Sequence, residues 1–410
     1  MGIVPCPGDT VAMRPARRAP VPAVAAAVAA LVLAGCGSSS DGGTPSASAP
    51  VPSPTTASPS PTGTGTASAR PSATSTASGA AVTPTIESAL VTGLRAPWGM
   101  AFLPDGSALV SLRDDGTILR VRPTRSGGAQ VEQVGEVPET AAEGEGGLLG
   151  LAVQPGARPM WVLAYVTTSE DNRVVRMSWD GTRLGAPQPV LTGIPRGSIH
   201  DGGGLAIGRD GFVYVSTGET GNPELAQDLG SLGGKILRIR PDGRAAPGNP
   251  LPDHPLLWTW GHRNVQGLAF DAEGRLWASE YGARDVDELN LIRRGGNYGW
   301  PRFEGAGGDP DYVDPVIAWS PTALASPSGI AAARGSIWIA SLRGQVLWQV
   351  PIDAAGRAGE PIARFREELG RLRNVALASD GTLWLLTNNT DGRGDPGPQD
   401  DRLLRLSLTP

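Results

Sequence analysis

Residues 202–219 read GGGLAIGRDGFVYVSTGE, and this stretch holds the pattern that decides the fold. Three glycines open it, a short apolar run from Leu205 to Ile207 follows, and a Gly-Arg-Asp-Gly turn leads into a second apolar run, Phe212 to Val215. An Asp-Gly turn between two apolar runs is a strong short-range signal of a β-hairpin. The stretch therefore predicts two antiparallel strands that are approached through a glycine-rich loop.

Five further stretches repeat this order of small residues, apolar strand, tight turn and second strand. They begin at Trp98, Gly146, Val265, Pro327 and Leu372. The starts are spaced by roughly 45 to 65 residues, the spacing that is typical of propeller blades. No long amphipathic helical pattern separates them, which disfavours an α/β fold. We therefore predict an all-β fold, a six-bladed β-propeller over residues 85–410.

The N-terminal region has a different composition and a different predicted role. Arginines precede an alanine-rich apolar run that is too short for a convincing membrane span, which predicts an export signal over residues 1–35. Met13 is an alternative start that would leave this signal intact. The run ends in LAGC, residues 33–36, which resembles the bacterial lipobox, so Cys36 is expected to carry lipid. The alternative is an ordinary secretory signal with an incidental cysteine. The lipoprotein would be anchored to the outer face of the cell membrane.

Residues 36–84 are rich in Ser, Thr, Pro, Ala and Gly. Such a segment cannot bury enough apolar surface to fold, so we predict a disordered tether. With Cys6 removed and Cys36 acylated, no cysteine is left to form a disulfide. The formal net charge is −5, with no basic cluster, which argues against nucleic acid as a partner.

The chemically useful side chains fall at the starts of the repeats or at the adjacent strand ends. These residues are His200, Glu219, Arg263, Asn264, Arg343, Arg371 and Arg373. Residues two apart on a strand share a face, so Arg371 and Arg373 should point the same way. Guanidinium groups that converge on one cavity would bind a multiply anionic ligand, although any single arginine is more often part of a surface ion pair.

A second candidate site is the stretch SEYGARDVDELNLIRRGGNYGWP, residues 279–301. Asp285, Asp287 and Glu288, with glycines that free nearby carbonyls, offer the hard oxygen ligands that calcium prefers. An acidic turn is also commonly only solvated surface, so both interpretations stay open.

Taken in order, the motifs GGLLGLAVQP, HDGGGLAIGRDG, GHRNVQGLAFD, GGNYGWP and RLRNVALASDGTLWLLT resemble the soluble PQQ-dependent glucose/sorbosone (aldose sugar) dehydrogenase family. The resemblance spans about residues 86–408. It implies a six-bladed propeller that oxidises an aldose sugar at C1 to the lactone, with PQQ and calcium as cofactors and an unidentified electron acceptor.

The resemblance also implies roles for individual residues. His200 matches the family's catalytic base, and Glu219 matches the acid that orients and polarises its imidazole. The positions that contact PQQ are matched by Arg263, Asn264, Arg343, Arg371 and Arg373, of which Arg343 stands where lysine is common. The backbone carbonyls of Gly282 and Ala283 match ligands of the calcium that polarises the quinone. Glu288 and Tyr298 match ligands of a second, structural calcium.

Three positions depart from the family pattern. Glu145 stands near the expected cofactor where a neutral glutamine is usual, so its charge needs to be offset by calcium or by a proton. Ile199 replaces an acidic neighbour of the base, and Ala283 replaces a proline. The other two histidines, His254 and His262, are expected to serve a loop, with His262 near the channel.

Two other functions are compatible with these residues. A calcium-dependent lactonase-type hydrolase would hold a metal on the propeller axis with acidic and amide side chains, and it would not need the arginines. A non-catalytic propeller would display a binding surface from the cell envelope, because a propeller by itself names no function.

Overall fold

The computed structural model describes residues 82–154 and 156–409, and the strands of this part form six antiparallel sheets of four strands each. The predicted export signal, Cys36 and the tether up to residue 81 lie outside the described residues. The first strand begins at Thr83, just before the predicted domain boundary at residue 85, because the chain pairs with the C-terminal strand from this point onward.

Each sheet is one blade, and its strands follow one another outward from the channel. Blade 1 contains β2 (Pro97–Phe102), β3 (Ala108–Leu112), β4 (Thr117–Pro123) and β5 (Ala129–Glu136). Blade 2 contains β6 (Leu148–Gln154), β7 (Met160–Thr167), β8 (Asn172–Trp179) and β9 (Gln188–Ile194). Blade 3 contains β10 (Leu205–Ile207), β11 (Val213–Ser216), β12 (Lys235–Ile239) and β13 (Leu257–Trp260).

The other three blades complete the ring. Blade 4 contains β14 (Val265–Phe270), β15 (Leu276–Glu280), β16 (Asp287–Ile292) and β17 (Ile317–Trp319). Blade 5 contains β18 (Pro327–Ala333), β19 (Ser336–Ser341), β20 (Val346–Pro351) and β21 (Ile362–Arg364). Blade 6 contains β22 (Leu372–Leu377), β23 (Leu383–Thr387), β24 (Leu403–Thr409) and β1 (Thr83–Val91). Two short 3₁₀ helices, η1 (Pro223–Ala226) and η2 (Thr322–Leu324), lie in loops of the described part.

The ring is closed by strands from both ends of the described chain. β1 pairs antiparallel with β24, from Thr83 opposite Thr409 to Val91 opposite Leu403. The innermost strands contact one another around the channel, and β2 of blade 1 contacts β22 of blade 6. The six-bladed propeller predicted from the repeats is therefore confirmed, and each repeat supplies the inner strands of one blade.

Glycines let the innermost strands approach closely. A Cβ atom on Gly150 would lie 2.2 Å from the carbonyl oxygen of Gly203 in the next blade, and one on Gly267 would lie 2.3 Å from that of Ser328. Real Cβ atoms are not found at such distances, so a side chain at either position would push the blades apart. This packing brings the loops that precede the inner strands together at one end of the channel.

The blades are held to each other by apolar packing. Trp277, Trp338 and Trp384 are among the largest side chains that are completely buried, and each belongs to a different core cluster. Aromatic side chains of this size dominate the apolar area that a core removes from water. Within the part of the chain that the structure describes, no helix is long and apolar enough to cross a bilayer.

Candidate active site

A polar cavity lies at the end of the channel where these loops meet. It has an empty volume of about 290 Å³ and is lined by Trp98, Arg113, Glu145, Gln266, Tyr281, Leu342, Arg373, Asp391 and Arg393. A larger cavity opens at the other ends of the inner strands, where Phe102, Ile207 and Leu377 lie, and none of the predicted site residues lines it. Of the predicted site residues, Glu145 and Arg373 line the polar cavity, and His200 adjoins it through its hydrogen bond to Glu145.

The backbone of His200 is held in an unusual conformation. Its φ of +57° is in the left-handed region, which non-glycine residues rarely adopt. The carbonyl oxygen of His200 accepts a hydrogen bond from the Thr220 N–H at 3.2 Å. A Cβ atom on Gly218 would lie only 1.9 Å from this oxygen, so glycine is required there. Such conformations persist where the surrounding structure fixes them, and they cluster at functional sites.

The imidazole of His200 is paired with Glu219. Nδ1 lies 2.6 Å from Oε1 of Glu219, and the two side chains are 11% and 2% exposed. A carboxylate can only accept, so Nδ1 carries the proton and the other ring nitrogen, Nε2, is the one that can take a proton from a ligand. The other carboxylate oxygen of Glu219 is buried and has no hydrogen-bond partner among the described residues. The pair therefore has the arrangement of a general base with its orienting acid.

Glu145 is compensated by an arginine that the sequence analysis did not identify. One of its oxygens accepts the backbone N–H of His200 at 2.9 Å, and the other accepts Nη1 of Arg393 at 2.8 Å. Burial raises the pKa of Glu145, but these hydrogen bonds outweigh burial and leave the pKa below its ordinary value. The carboxylate is therefore an anion, and Arg393 offsets its charge. From the sequence we expected calcium or a proton to offset this charge.

The predicted arginine pair of blade 6 shares one acidic partner. Nη2 of Arg371 lies 2.8 Å from Oδ2 of Asp391, and Nη2 of Arg373 lies 3.8 Å from the same atom. Both side chains therefore point the same way, as expected for residues two apart. Arg373 is buried, and its Nη1 donates to Oε1 of Gln266 at 2.9 Å. Its Nε has no partner among the described residues.

Arg263 and Asn264 lie beside the His200–Glu219 pair. Oδ1 of Asn264 accepts the N–H of Gly202 at 3.0 Å, and the backbone carbonyl of Arg263 accepts the N–H of Glu219 at 2.9 Å. Nη1 of Arg263 donates to the carbonyl oxygen of Gly282 at 2.6 Å. These two residues therefore connect the predicted base to the predicted calcium loop.

Arg343 is placed differently from the other predicted cofactor contacts. It is exposed in the turn between β19 and β20, whereas its neighbour Leu342 is buried and lines the polar cavity. The turn directs adjacent side chains to opposite sides, so the structure brings Leu342 and not Arg343 to the cavity. A contact between Arg343 and the cofactor stays a prediction.

The cavity has the character expected of a site for a polyanion such as PQQ. The hydroxyl of Tyr281 and Nε of Arg373 are buried without a partner in the described part of the chain, and both residues line the cavity. Leaving a buried donor unpaired is costly, so a ligand that is rich in acceptor oxygens would stabilise these groups. The residues present therefore fit a ligand that carries several carboxylates.

A group of acidic side chains lies next to this cavity, where the second calcium is expected. Glu280, Glu288 and Glu304 line a small cavity together with Tyr298. Burial and the nearby charge of Glu280 raise the pKa of Glu288 to about 8. Nδ2 of Asn290 bridges Glu280 at 3.1 Å and Glu288 at 3.0 Å. A bound cation would relieve the repulsion between these carboxylates.

The loop that carries Gly282 and Ala283 is also organised by an acidic residue. Oε1 of Glu304 accepts the N–H groups of residues 283 to 286, at 2.6 Å from Ala283 and 2.8 Å from Arg284. The carbonyl oxygen of Gly282 accepts a hydrogen bond from the cationic guanidinium of Arg263. Within residues 82–154 and 156–409, no group of three or more His, Cys, Asp or Glu side chains is arranged to hold a metal ion. Calcium at the carbonyls of Gly282 and Ala283 therefore stays a prediction, and at Gly282 it would have to replace Arg263.

Sequence reasoning missed Arg393 and Asp391, which lie in the stretch TNNTDGRGDPG, residues 387–397. This composition resembles that of an ordinary exposed turn. The signal that could have found them is positional, because the stretch follows the second strand of blade 6 just as Glu219 follows the second strand of blade 3. Tyr281 was also missed, although it lies inside the predicted calcium motif.

The fold and the site together define a class of protein: a six-bladed propeller with a carboxylate–histidine pair beside an arginine-lined cavity for an anionic ligand. The chain belongs to the Glucose / Sorbosone dehydrogenase family, whose model matches residues 94–405. Family membership and the oxidoreductase class expected from the sequence are thus confirmed.

Individual relatives agree with this assignment. The chain is 50% identical to an aldose sugar dehydrogenase from Streptomyces coelicolor solved in its PQQ-bound form, with a TM-score of 0.76 over 80% of this chain and 98% of that chain. It is 28% identical to an aldose sugar dehydrogenase of Escherichia coli, over 72% of this chain and 88% of that protein. It is 32% identical to quinoprotein glucose dehydrogenase B of Acinetobacter calcoaceticus, over 55% of this chain and 54% of that protein.

Proposed function

We propose that this chain oxidises an aldose sugar at its C1 hydroxyl to the lactone, with His200 as the general base and PQQ as the hydride acceptor. The observation that carries the proposal is the 2.6 Å contact between Nδ1 of His200 and Glu219, at the edge of an arginine-lined cavity. PQQ, when bound, supplies a quinone carbon that accepts a hydride. The two electrons would then leave to an unidentified electron acceptor.

His200 and Glu219 share the proton chemistry in this proposal. Nε2 of His200 takes the proton of the C1 hydroxyl while the C1 hydrogen leaves as hydride, so the sugar loses two electrons and two hydrogens. The resulting imidazolium is stabilised by the carboxylate of Glu219, whose second oxygen has no other partner among the described residues. The His200 side chain is buried except for 11% of its surface, through which it can return its proton to solvent.

The arginines would hold the ligand and not take part in bond making. Arg371 and Arg373 would bind carboxylate oxygens, since guanidinium groups bind carboxylates in a bidentate manner. Asp391, which is buried between them, keeps both side chains oriented before the ligand arrives. Tyr281 would donate its unpaired hydroxyl to an acceptor oxygen of the same ligand.

The proposed function is tested by adding PQQ and calcium to the purified full chain. We expect the absorbance of a bound quinone and the reduction of an artificial dye when glucose or another aldose from a panel is added. A chain that binds PQQ but oxidises no aldose of the panel would favour a binding propeller. Hydrolysis of a lactone without PQQ would favour the hydrolase.

We also propose that calcium binds at the Gly282 and Ala283 carbonyls and near Glu288 and Tyr298. Calcium is then expected to raise the melting temperature, because a ligand that binds only the native state stabilises it by about 2.7 kcal/mol at 100 times its Kd. Thermal unfolding with calcium, with magnesium and with a chelator measures this effect. The Glu288→Gln variant should respond less to calcium. A melting temperature that is the same with calcium and with chelator would contradict the assignment.

A lipid anchor at Cys36 is a further part of the proposed function, since it would place the propeller at the outer face of the membrane. The Cys36→Ser variant is expected to move from the membrane fraction to the soluble fraction, because the thiol that carries the lipid is lost. Fractionation of cells that express each form measures this. Cys6→Ser serves as the control, because Cys6 lies within the predicted export signal. Equal membrane retention of the Cys36→Ser variant would exclude the anchor.

A further inference from the structure

The ion pair of Glu145 and Arg393 joins three loops around the mouth of the polar cavity. Glu145 precedes β6 of blade 2, His200 precedes β10 of blade 3, and Arg393 lies between β23 and β24 of blade 6. Arg393 and Glu145 are 248 residues apart in the chain, and their side chains meet at 2.8 Å. The other oxygen of the same carboxylate accepts the backbone N–H of His200 at 2.9 Å. One carboxylate therefore connects an arginine of the last blade to the predicted base.

With this connection, the ring and both backbone polar groups of His200 are hydrogen-bonded. The ring is held by Glu219, the carbonyl oxygen by the N–H of Thr220, and the N–H by Glu145. The left-handed φ of +57° needs such constraints, because this region is sparsely populated for non-glycine residues. Arg393 in turn holds the Glu145 carboxylate in the orientation that receives the N–H.

The pair also places a carboxylate and a guanidinium close to His200. Glu145 is 16% exposed at its side chain and Arg393 is 54% exposed, so the carboxylate is the more deeply buried partner. Interaction with the charge of His200 is among the effects that lower the pKa of Glu145. The same interaction acts in the other direction, because a carboxylate stabilises a nearby imidazolium and a guanidinium opposes it.

Other charged groups also face His200, and they must be considered together with the pair. Glu219 contacts the ring directly, and Arg263 lies beside Glu219. Asp201 follows His200 in the chain, and burial raises its pKa to about 6, while hydrogen bonds from Asn172 and Gly197 oppose this rise. The charge of Arg196 also acts on Asp201. The charge of Glu145 also acts on Asp201 and Arg263, so Glu145→Gln is interpreted together with Arg393→Gln, which leaves that carboxylate in place.

We propose that Glu145 and Arg393 form a positioning pair for His200, which fixes the backbone of the base and sets the pH at which its ring releases a proton. The proposal rests on the proposed function insofar as His200 acts as the base.

The test is an NMR titration of the histidine ring signals in the full chain without cofactor. The chain has only three histidines, so the signal of His200 is assigned by its loss in a His200→Asn variant. Glu145→Gln is expected to lower the titration midpoint of this signal by about 0.5–1 pH unit, because an anion beside the imidazolium is lost. Arg393→Gln is expected to raise the midpoint by a similar amount, because Glu145 is no longer compensated.

Further variants separate the charge effect from a general disturbance of the fold. Arg393→Lys keeps the charge and should restore most of the wild-type midpoint, and the double variant Glu145→Gln/Arg393→Gln should lie close to wild type. Arg244→Gln is the matched control, because it breaks an exposed ion pair with Asp242 in the turn after β12, at the far end of blade 3 from Glu219. This control should leave the midpoint unchanged.

The outcomes distinguish this proposal from the proposed function. Opposite shifts of the His200 titration midpoint in the two single variants support the positioning pair. This holds even if none of the proteins oxidises a sugar, because the lack of sugar oxidation would count only against the proposed function. Shifts in the same direction, or an unchanged midpoint in Arg393→Gln, overturn the pair even if sugar oxidation proceeds. In the loaded enzyme, the rise of kcat with pH should move in the same direction as the midpoint in each variant.

Discussion

Replacing His200 with asparagine or alanine is expected to lower kcat for aldose oxidation by about 10²–10⁴, the usual contribution of a general base, while PQQ stays bound. Nε2 of His200 is the atom that takes the C1 hydroxyl proton in the proposed reaction, and neither replacement offers an equivalent acceptor. Asparagine tolerates the left-handed backbone better than alanine, so it separates the lost base from local strain. Steady-state kinetics with PQQ-loaded protein measures the effect.

The same kinetics also test the role of the Glu219 carboxylate and the pH dependence of turnover. Glu219→Gln should lower kcat less than the loss of His200 does, because it disturbs only the orientation and polarisation of the ring. Wild-type turnover should rise with pH through the range in which an imidazole releases its proton, since only the neutral ring accepts one. His254→Ala serves as the control, because His254 lies in a loop before β13. If His200→Asn turns over as fast as wild type, His200 is not the base.

The second large effect is expected on cofactor binding. Arg373→Ala should weaken the binding of PQQ by about 1.5–3 kcal/mol for each charged hydrogen bond lost, which is roughly 10- to 150-fold in Kd. The reason is that Arg373 is buried beside the cavity with an unpaired Nε that a carboxylate could accept from. Arg371→Ala should act in the same direction. Titration of PQQ, followed by its absorbance or by protein fluorescence, measures Kd independently of turnover.

A matched variant controls for the general loss of an arginine side chain that donates to a glutamine amide. Arg364 donates to the amide oxygen of Gln349 at 3.0 Å, much as Arg373 donates to Gln266, but it lies on the outer strand β21 of blade 5. Arg364→Ala should leave the Kd for PQQ unchanged. Arg373→Lys tests whether charge alone suffices, since lysine lacks the planar fork of arginine. Wild-type affinity in both alanine variants at residues 371 and 373 would mean that these arginines do not hold the cofactor.

Sequence patterns predicted the architecture because the signal of a blade is local. The Asp-Gly turn at Asp210 and the alternation of apolar residues beside it specify a hairpin without reference to the rest of the chain. Repetition of that unit then implies a ring, since each blade buries its apolar face only against its neighbours. The placement of His200 and Glu219 at matching strand ends of blade 3 followed from the same local order.

Contacts between distant loops could not be predicted in the same way. Glu145 looked like an uncompensated charge in the sequence, and only the closed ring brings Arg393 to it from blade 6. Arg343 looked equivalent to the other arginines, but the turn between β19 and β20 exposes it and buries Leu342. Asp391 joins Arg371 and Arg373 through a loop whose composition resembles that of an ordinary turn.

The sequence by itself thus determined the number of blades and the all-β class, because periodicity and turn chemistry act over a few neighbouring residues. The pairing of His200 with Glu219 was implied by the family resemblance. The tertiary structure decided which charges compensate one another and which side chains reach the cavity. These outcomes depend on how closure of the ring orients loops that are hundreds of residues apart, as for Glu145 and Arg393. Local propensity carries no information about which distant residues come into contact, whereas packing of the blades around a common channel fixes these contacts.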